Sequence, residues 1–253
     1  MGTQINNSVV KVFEILKTFN KTEYKWSALE ISKKTGMHIA TVHRFLLTLE
    51  TLGVVVRAPD GKFQLGLVLL DLGNRVSLYK VLADTVAPFV DDLVQIFRET
   101  VHVAVLEQGQ VVYVYKGESP RSLKISTYIG KILPAYNTGV GKVLLAGCTD
   151  AVIKEYIRNT KLVPVTKKTI TSPDKLLSEL IQIKSQGYSI DSEENEEGLS
   201  CVAVPIKNES GETLAAISVS GPTSRINETE MDALRERLSD AADDIQKNLF
   251  GIK

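Results

Sequence analysis

The first apolar positions of the chain recur at spacings of three and four residues, the period of one face of a helix. They are Val9, Val12, Phe13, Ile15, Leu16 and Phe19. With Ser8 as N-cap, this pattern predicts an amphipathic helix that runs to about Asn20. A second, shorter helix is predicted from the capping-box pair Ser27 and Glu30 to Lys34, with Gly36 in position to end it.

A third helix is predicted over residues 39–51, because Val42, Phe45, Leu46 and Leu49 share one of its faces and Gly53 follows. Residues 54–57 and 62–65 then have the composition of strands, and Pro59, Asp60 and Gly61 form a turn between them. Helices, a tight turn, a further helix and a hairpin make a winged helix-turn-helix. Residues 1–66 are therefore predicted to form a DNA-binding domain.

The remaining patterns predict a linker and a larger domain. A helical pattern over residues 67–80, interrupted by Gly73, is the predicted linker helix, and a helix over 81–98 follows it. Strands are predicted at 101–106, 111–116, 123–127, 201–206 and 213–219, with helices at 140–146, at 173–186 after the cap Ser172, and at 228–249 after the capping pair Asn227 and Glu230. Hairpins at 108–110 and 208–211 imply an antiparallel sheet flanked by helices. The fold class is thus α+β, with residues 81–253 as a sensor-like domain.

The charge pattern supports DNA binding by the first domain. The chain has 30 basic and 30 acidic residues, but residues 1–66 contain nine Lys or Arg against five Asp or Glu. The third helix is the predicted recognition helix, in which Arg44 grips phosphate or a guanine edge and His38, Thr41 and His43 are further donors. Lys33, Lys34 and Lys62 are predicted phosphate contacts. The alternative for the domain is a protein-interaction module, and the alternative for His38 and His43 is that they are ordinary surface residues.

Composition also limits the location and the chemistry. Two cysteines, Cys148 and Cys201, lie in or beside apolar stretches, which indicates buried thiols in a reducing compartment. No run of 18 apolar residues occurs and residues 1–8 are polar, so we expect a cytoplasmic protein without a membrane span. Three histidines and two cysteines lack metal-ligand spacing, and no metal or other cofactor is expected.

Three stretches carry a resemblance to a known family. The first is TVHRFLLTLETL from Thr41, followed by Gly53 and the wing that ends at Phe63, Leu65 and Gly66. The second is PAYNTGVGKVLLA, and the third begins at Gly187 and has Asp191, Glu194, Cys201, Val202, Ala203, Ile206 and Asn208 at signature spacing, followed by SGP at Ser220. Over almost its whole length the chain resembles the IclR family of bacterial transcription regulators. Lys207 and Ala40 depart from the family pattern, which usually has an aromatic residue or His at the first position and often Ser at the second.

The resemblance implies a GAF-like effector-binding domain, a homodimer or dimer of dimers, and a palindromic DNA operator. It implies a pocket lined from the strands by Asp191, Leu199, Cys201, Ser218 and Ser220, and from the opposite segment by Leu133, Gly139 and Val140. The spacing of Ser218 and Ser220 independently places both hydroxyls on one face of a strand, where they converge on a ligand or else face solvent. Glu193, Glu196 and Glu197 have the pattern of a solvated surface.

The segment from Gly139 to Lys142 also invites comparison with a phosphate-binding loop. Tyr136 occupies the position of the first required glycine and Val143 that of the Ser or Thr, so we reject a nucleotidase. Backbone N–H groups at the start of this helix suit a carboxylate, which makes a small organic acid or sugar acid the expected effector.

Two other functions compete with an effector-responsive regulator. An enzyme would use Cys201 as nucleophile or Asp191 with Glu194 as an acid–base pair, but His102 is the only histidine outside the DNA-binding region and lies early in a strand. We therefore predict no enzymatic activity. The second competitor is a DNA-binding protein whose C-terminal domain only oligomerises and binds no metabolite.

Overall fold

The computed structural model describes residues 5–20, 23–75, 77–226 and 228–251, and it divides into two units between Ser77 and Leu78. The first unit contains α1 (Asn7–Leu16), α2 (Ala28–Thr35), α3 (Ile39–Thr51), β1 (Val55–Arg57), β2 (Phe63–Leu65) and α4 (Val68–Asn74). The second contains α5 (Leu78–Phe97), β3 (Thr100–Glu107), β4 (Gln110–Gly117), β5 (Ile132–Pro134), α6 (Gly139–Ala146), α7 (Asp150–Asn159), α8 (Pro173–Gln186), β6 (Ser189–Ser192), β7 (Leu199–Lys207), β8 (Thr213–Pro222) and α9 (Glu228–Phe250).

The predicted winged helix-turn-helix is present in the first unit. Ser27 and Glu30 form the capping box, with the Ser27 N–H donating to the Glu30 carboxylate at 2.7 Å, and Gly36 ends α2 with a left-handed φ of 71°. The buried faces of α1, α2, α3 and the wing meet in one core that includes Ile15, Ile31, Leu46 and Phe63. β1 and β2 pair antiparallel, and Trp26 is bridged to Phe63. The apolar faces predicted for α2 and α3 are buried in this core, whereas α1 buries Ile15 but leaves Val9 and Phe13 of its predicted apolar face exposed.

Two boundaries in this unit differ from the prediction. The N-cap of α1 is Asn6 and not Ser8, because Oδ1 of the Asn6 side chain accepts the Ser8 N–H at 3.0 Å, and the helix ends at Leu16 rather than Asn20. The linker helix predicted over 67–80 is two helices. Helix α4 continues through Gly73 to Asn74, and the last three positions of the predicted linker, 78–80, begin α5. The apolar residue Val76 of that pattern lies outside the described residues.

A six-stranded antiparallel sheet in the order β5-β4-β3-β8-β7-β6 organises the described part of the second unit. Valines and isoleucines from alternate positions of β3, β7 and β8 pack with α5 and α9 on one face. Small residues such as Ala104, Ala203 and Ala216 meet α6, α7 and α8 on the other face. Residues along β8 therefore alternate between the two layers, as the period of two requires. The α+β class and the antiparallel sheet are confirmed.

The main error of strand prediction concerns residues 123–127, which form no strand. β5, which the sequence patterns missed, occupies the free edge of β4 instead. The Lys116 ammonium donates to the carbonyl oxygens of Ile125 and Thr127 at 3.1 and 2.9 Å. These carbonyl groups therefore have a side-chain donor in place of the backbone N–H groups of a neighbouring strand. Helix α7 and strand β6 were also missed, and the predicted cap of α9 at Asn227 with Glu230 lies outside the described backbone and side chains.

Across the described ranges, no helix has the length and apolar character needed to cross a membrane. Both cysteines are free thiols, with Cys201 buried and Cys148 half-buried.

Candidate functional site

A small cavity of about 40 Å³ lies on the face of the large sheet that packs against α6. All six strands from β3 to β8, the start of α6 and the segments 125–131 and 195–196 surround it. Its lining includes all eight residues named from the sequence, namely Leu133, Gly139, Val140, Asp191, Leu199, Cys201, Ser218 and Ser220. The fold therefore brings together positions that are up to 87 places apart in the chain, from Leu133 to Ser220.

Polar side chains form two rows across the sheet on the cavity side. Asp191 is paired with Cys201, and Cys201 with Ser220, in neighbouring strands. One row further along, Ser218 is paired with His102. Directly opposed residues on one face lie within side-chain contact. The two rows therefore direct a carboxyl, a thiol, two hydroxyls and an imidazole toward the same space.

The start of α6 forms the opposite wall. The Thr138 hydroxyl caps the helix by accepting the Gly141 N–H at 3.2 Å. The N–H groups of Gly139 and Val140 precede the first intrahelical hydrogen bond, and the positive end of the helix dipole lies there. Gly139 allows this wall to approach β7, because a Cβ on it would lie 3.0 Å from the Cys201 sulfur. This wall can hold an anionic group.

A third wall, residues 125–131, was missed by sequence analysis. Ile125, Ser126, Thr127 and Lys131 line the cavity, and the Thr127 hydroxyl is 2.7 Å from Nε2 of His102. The segment has an ordinary alternating pattern and no recognisable motif, so no local signal marks it. Of the residues that it adds, Lys131 brings a cationic side chain to the cavity.

Burial sets the ionisation of the polar groups. It lowers the pKa of His102 to about 3, so the imidazole is neutral at physiological pH. Burial also raises the pKa of Asp191 to about 7, where the hydrogen bond from the Glu194 N–H and the charge of Lys142 partly oppose it. The Asp191 carboxyl therefore titrates near neutrality.

These pKa values bear on the enzymatic alternative. Sequence reasoning placed His102 merely in a strand, yet the structure places it in the same cavity as Cys201. A thiolate–imidazolium pair needs a lowered Cys pKa. Burial instead raises the pKa of Cys201 to about 12 and lowers that of His102, so neither group is activated.

In the first unit, α3 presents the residues predicted to contact DNA. His43 and Arg44 are exposed, Thr41 is half-buried, and the opposite face is buried through Val42, Leu46 and Leu49. His38 caps α3, with Nδ1 accepting the Ala40 N–H at 3.3 Å, so its Nε2 is the nitrogen left for an outside partner. The start of α3 thus has exposed donors on one side only.

The three predicted phosphate-contacting lysines have different environments. Lys33 is exposed in the last turn of α2. Lys34 lies 3.8 Å from Glu23 and over the Trp26 ring, and Lys62 donates to Glu30 at 2.9 Å. The Ser27 N–H, the Lys62 ammonium and the Ser27 hydroxyl hold the pKa of Glu30 at about 2, so this carboxylate remains charged. Lys34 and Lys62 therefore begin from ion pairs that phosphate must replace or share.

Two family models together match most of the chain. The IclR helix-turn-helix domain matches residues 8–59, and the bacterial transcriptional regulator IclR C-terminal domain matches residues 77–247. The chain belongs to the IclR family. The resemblance noted from sequence motifs is confirmed, and IclR-family members are transcription regulators rather than enzymes.

Individual IclR relatives align over nearly the whole chain. The transcriptional regulator KdgR of Escherichia coli K12 is 36% identical over 237 residues, which cover 93% of this chain and 90% of KdgR. XynR of the same organism is 33% identical over 238 residues, 94% of each chain. IclR-type regulators combine a DNA-binding helix-turn-helix with an effector-binding C-terminal domain. The same organisation therefore holds for this chain.

Solved structures agree with this assignment. The Thermotoga maritima IclR structure is 31% identical, with a TM-score of 0.65 over 96% of this chain and 98% of that chain. An IclR homolog from Microbacterium hydrocarbonoxydans, complexed with 4-hydroxybenzoate, is 27% identical, with a TM-score of 0.64 over 97% of this chain and 100% of that chain.

Proposed function

We propose that this IclR-family chain is a transcription regulator whose operator binding is modulated by a small organic acid or sugar acid held in the cavity of the second unit. The observation that carries this proposal is the pairing of two kinds of group around one space. The start of α6 and Lys131 suit a carboxylate, while Ser218, Ser220 and Asp191 suit hydroxyl groups. The 4-hydroxybenzoate bound by the Microbacterium homolog is itself a carboxylate.

The character of the lining favours a polar ligand over a flat aromatic one. Tyr113 brings a phenol ring, whereas hydroxyl, carboxyl, amide and ammonium groups make up most of the other described lining side chains. The present volume of about 40 Å³ is well below the roughly 300 Å³ of typical ligand sites. A sugar acid therefore requires the cavity to enlarge, and outward movement of residues 125–127 would do this at the cost of the His102–Thr127 hydrogen bond.

For DNA binding, Arg44, His43, Thr41 and His38 approach base edges and backbone in the major groove, and Lys33, Lys34 and Lys62 contact phosphates. Two copies pair through α1 and the region of α4, which leaves α3 of each copy to bind one half of a palindromic operator. Exposed apolar side chains on these elements support the pairing, namely Val9, Val10, Phe13, Leu67, Leu70 and Leu72. The protein acts in the cytoplasm, where bacterial DNA lies, as a dimer or a dimer of dimers.

A thermal-shift screen of the full chain against small carboxylates and sugar acids tests the effector proposal. A ligand at 100 times its Kd stabilises a protein by roughly 2.7 kcal/mol, which gives a clear rise in the unfolding temperature. A concentration-dependent rise that is reduced in Ser220→Ala, together with altered binding to operator DNA, is the expected result. No rise across the panel would instead favour a C-terminal domain that only oligomerises.

A further inference from the structure

A buried lysine joins two walls of the cavity without being among the described residues that line it. Lys142 is the fourth residue of α6, and its side chain is 0% exposed. Burial of an ammonium group is costly unless it is paired, and the positive end of the α6 dipole adds to that cost. Lys142 is also unavailable as a phosphate-loop lysine. Its position therefore requires compensation from specific partners.

The partners of Lys142 use its full hydrogen-bonding capacity. An ammonium has three N–H donors. They bind Glu179 Oε1 at 2.9 Å, the Ile190 carbonyl oxygen at 2.9 Å and Glu194 Oε1. Burial by itself lowers the pKa of Lys142, but the two carboxylates outweigh it and the net shift is upward. Lys142 therefore stays charged.

Two of these partners lie on either side of Asp191. The Ile190 carbonyl precedes Asp191 directly, and the Glu194 N–H donates to Asp191 Oδ1 at 2.7 Å. The segment that follows supplies Asn195 and Glu196 to the same wall. Because Gly139 and Val140 come shortly before Lys142 in α6, one ammonium connects the wall that carries Asp191 to the wall that begins the helix.

Other contacts hold the backbone of this segment but not the Glu194 carboxylate. The hydroxyls of Thr166 and Thr169 bind the carbonyl oxygens of Glu193 and Glu194, each at 2.7 Å. Glu194 Oε2 is buried and has no hydrogen-bond partner within the described ranges. The orientation of the Glu194 side chain therefore depends on Lys142.

We propose that Lys142 is a positioning residue for effector recognition, holding Asp191 at the cavity wall and favouring its ionised form as an acceptor for hydroxyl groups of the effector. The inference rests on the proposed effector site. It adds that the effector carries a hydroxyl group that donates to Asp191, apart from the carboxylate received by the start of α6.

The charge on Asp191 also responds to groups on other elements. Lys142 of α6 and Glu179 of α8 lie on one side, and Glu194 and Glu196 belong to the segment that follows β6. From the sheet and the third wall, the groups that face the cavity are Cys201, Tyr113, His102 and Lys131. The charge of Lys142 opposes the rise in the Asp191 pKa, whereas the charge of the Glu194 carboxylate adds to it.

The test measures Asp191 ionisation without any ligand. The unfolding temperatures of the full chain and of Asp191→Asn are compared from pH 4 to pH 9. The folded-state pKa of Asp191 lies above the unfolded value, so ionisation of Asp191 destabilises the wild-type protein. The difference in unfolding temperature in favour of Asp191→Asn therefore grows as pH rises from about 4 and reaches a plateau near pH 7. When Lys142→Met is compared with Lys142→Met/Asp191→Asn, we expect the pH at which this difference reaches its plateau to be about one unit higher. In the matched control Lys184→Met, which removes an exposed lysine of α8, this pH does not change.

A folded Lys142→Met protein with an unchanged profile would overturn the proposal, because a purely structural lysine predicts that result. If Lys142→Met does not fold, the effect of Asp191→Asn on the unfolding temperature is measured as a function of pH in two other backgrounds. These are Glu194→Gln and the double variant Lys142→Met/Glu194→Gln. The double variant leaves no buried carboxylate at position 194 without its cation. A plateau at higher pH in the double variant supports the proposal, and an unchanged profile contradicts it.

Binding of D-gluconate as a probe separates this inference from the proposed function. We expect Lys142→Met to weaken binding by about tenfold and Lys184→Met to leave it unchanged. If D-gluconate binds none of the proteins, a sugar-acid effector loses support, but the pH profiles still decide whether Lys142 sets the ionisation of Asp191. If it binds wild type and Lys142→Met equally, the positioning role is wrong and the cavity remains an effector site.

Discussion

The proposed DNA-binding face of α3 and the proposed effector cavity are built in contrasting ways. The exposed residues of α3 come from one helix and lie on its outer side because Val42, Leu46 and Leu49 occupy the inner side. The cavity takes its lining from six strands, one helix start and two irregular segments. Recognition residues on a single helix are thus set by local periodicity, whereas those of the cavity depend on strand register across the sheet.

This contrast predicts that substitutions in the two regions have separable effects. The largest effect is expected for Arg44→Ala, which removes a donor from each proposed recognition helix of the proposed dimer. Loss of a base or phosphate contact of this kind costs about 1–3 kcal/mol, so its loss from two copies reduces operator affinity by roughly 30-fold or more. Fluorescence anisotropy with a duplex selected by the wild-type protein measures this change.

Effector affinity of Arg44→Ala should stay at the wild-type value. The control Arg158→Ala removes an exposed arginine from α7 and should affect neither activity. Equal loss of operator and effector binding in Arg44→Ala would show that the two regions are not separate in function.

The next largest effect is expected for Gly139→Ala. Its Cβ would lie 3.0 Å from the Cys201 sulfur and 3.5 Å from the Ser189 hydroxyl, so the start of α6 must shift away from β7. We expect a loss of about 1–3 kcal/mol in the free energy of unfolding, together with weaker effector binding. Urea denaturation measures the first quantity.

Gly73→Ala is the matched control, because a Cβ at Gly73 in α4 meets nothing within 4 Å. It should be neutral or stabilise by up to about 1 kcal/mol, as expected for alanine in a helix. Wild-type stability of Gly139→Ala would mean that the approach of α6 to β7 is looser than 3.0 Å implies.

A smaller effect is expected for Ser220→Ala, which removes one hydroxyl from the polar row beside Cys201. Loss of a single neutral hydrogen bond of about 1.4 kcal/mol weakens effector binding by about tenfold and leaves operator affinity nearly unchanged. Isothermal titration with the best hit of the screen measures the affinity. The exposed Ser224→Ala is the control, and unchanged effector binding in Ser220→Ala would remove Ser220 from the site.

The smallest effect distinguishes the lysines that precede and follow α3. Lys33 is exposed, whereas Lys62 already donates to Glu30, so Lys33→Ala should weaken operator binding by about threefold and Lys62→Ala by less. The slope of log affinity against log salt should fall by about one for each phosphate contact that is lost. A larger effect for Lys62→Ala would show that phosphate displaces Glu30 at little cost.

Sequence patterns located most elements but failed where a local pattern had no local partner. Residues 123–127 alternate like a strand, yet Leu123 is exposed and the segment crosses the cavity because β5 occupies the edge of β4. The alternation was real, but strand formation needs a hydrogen-bonding neighbour, and that neighbour is selected by the whole sheet.

The sequence patterns also could not predict which chemically reactive side chains lie close together in the fold. The sequence separated His102 from Cys201 by 99 positions, and only the pairing of β3 with β8 and of β8 with β7 places both at one cavity. The same pairing buries them, and this burial removes the catalytic potential that their proximity alone would imply.

The sequence by itself determined the caps of α2 and α8, the winged helix-turn-helix, the α+β class and the family, because capping residues, turn glycines, apolar periodicity and motif spacing are all local features of the chain. Only the tertiary structure decided which polar residues share a cavity, the near-neutral titration of Asp191 and the saturated contacts of Lys142. Those properties depend on desolvation and on charges brought together from distant parts of the chain, and neither exists before the sheet has formed.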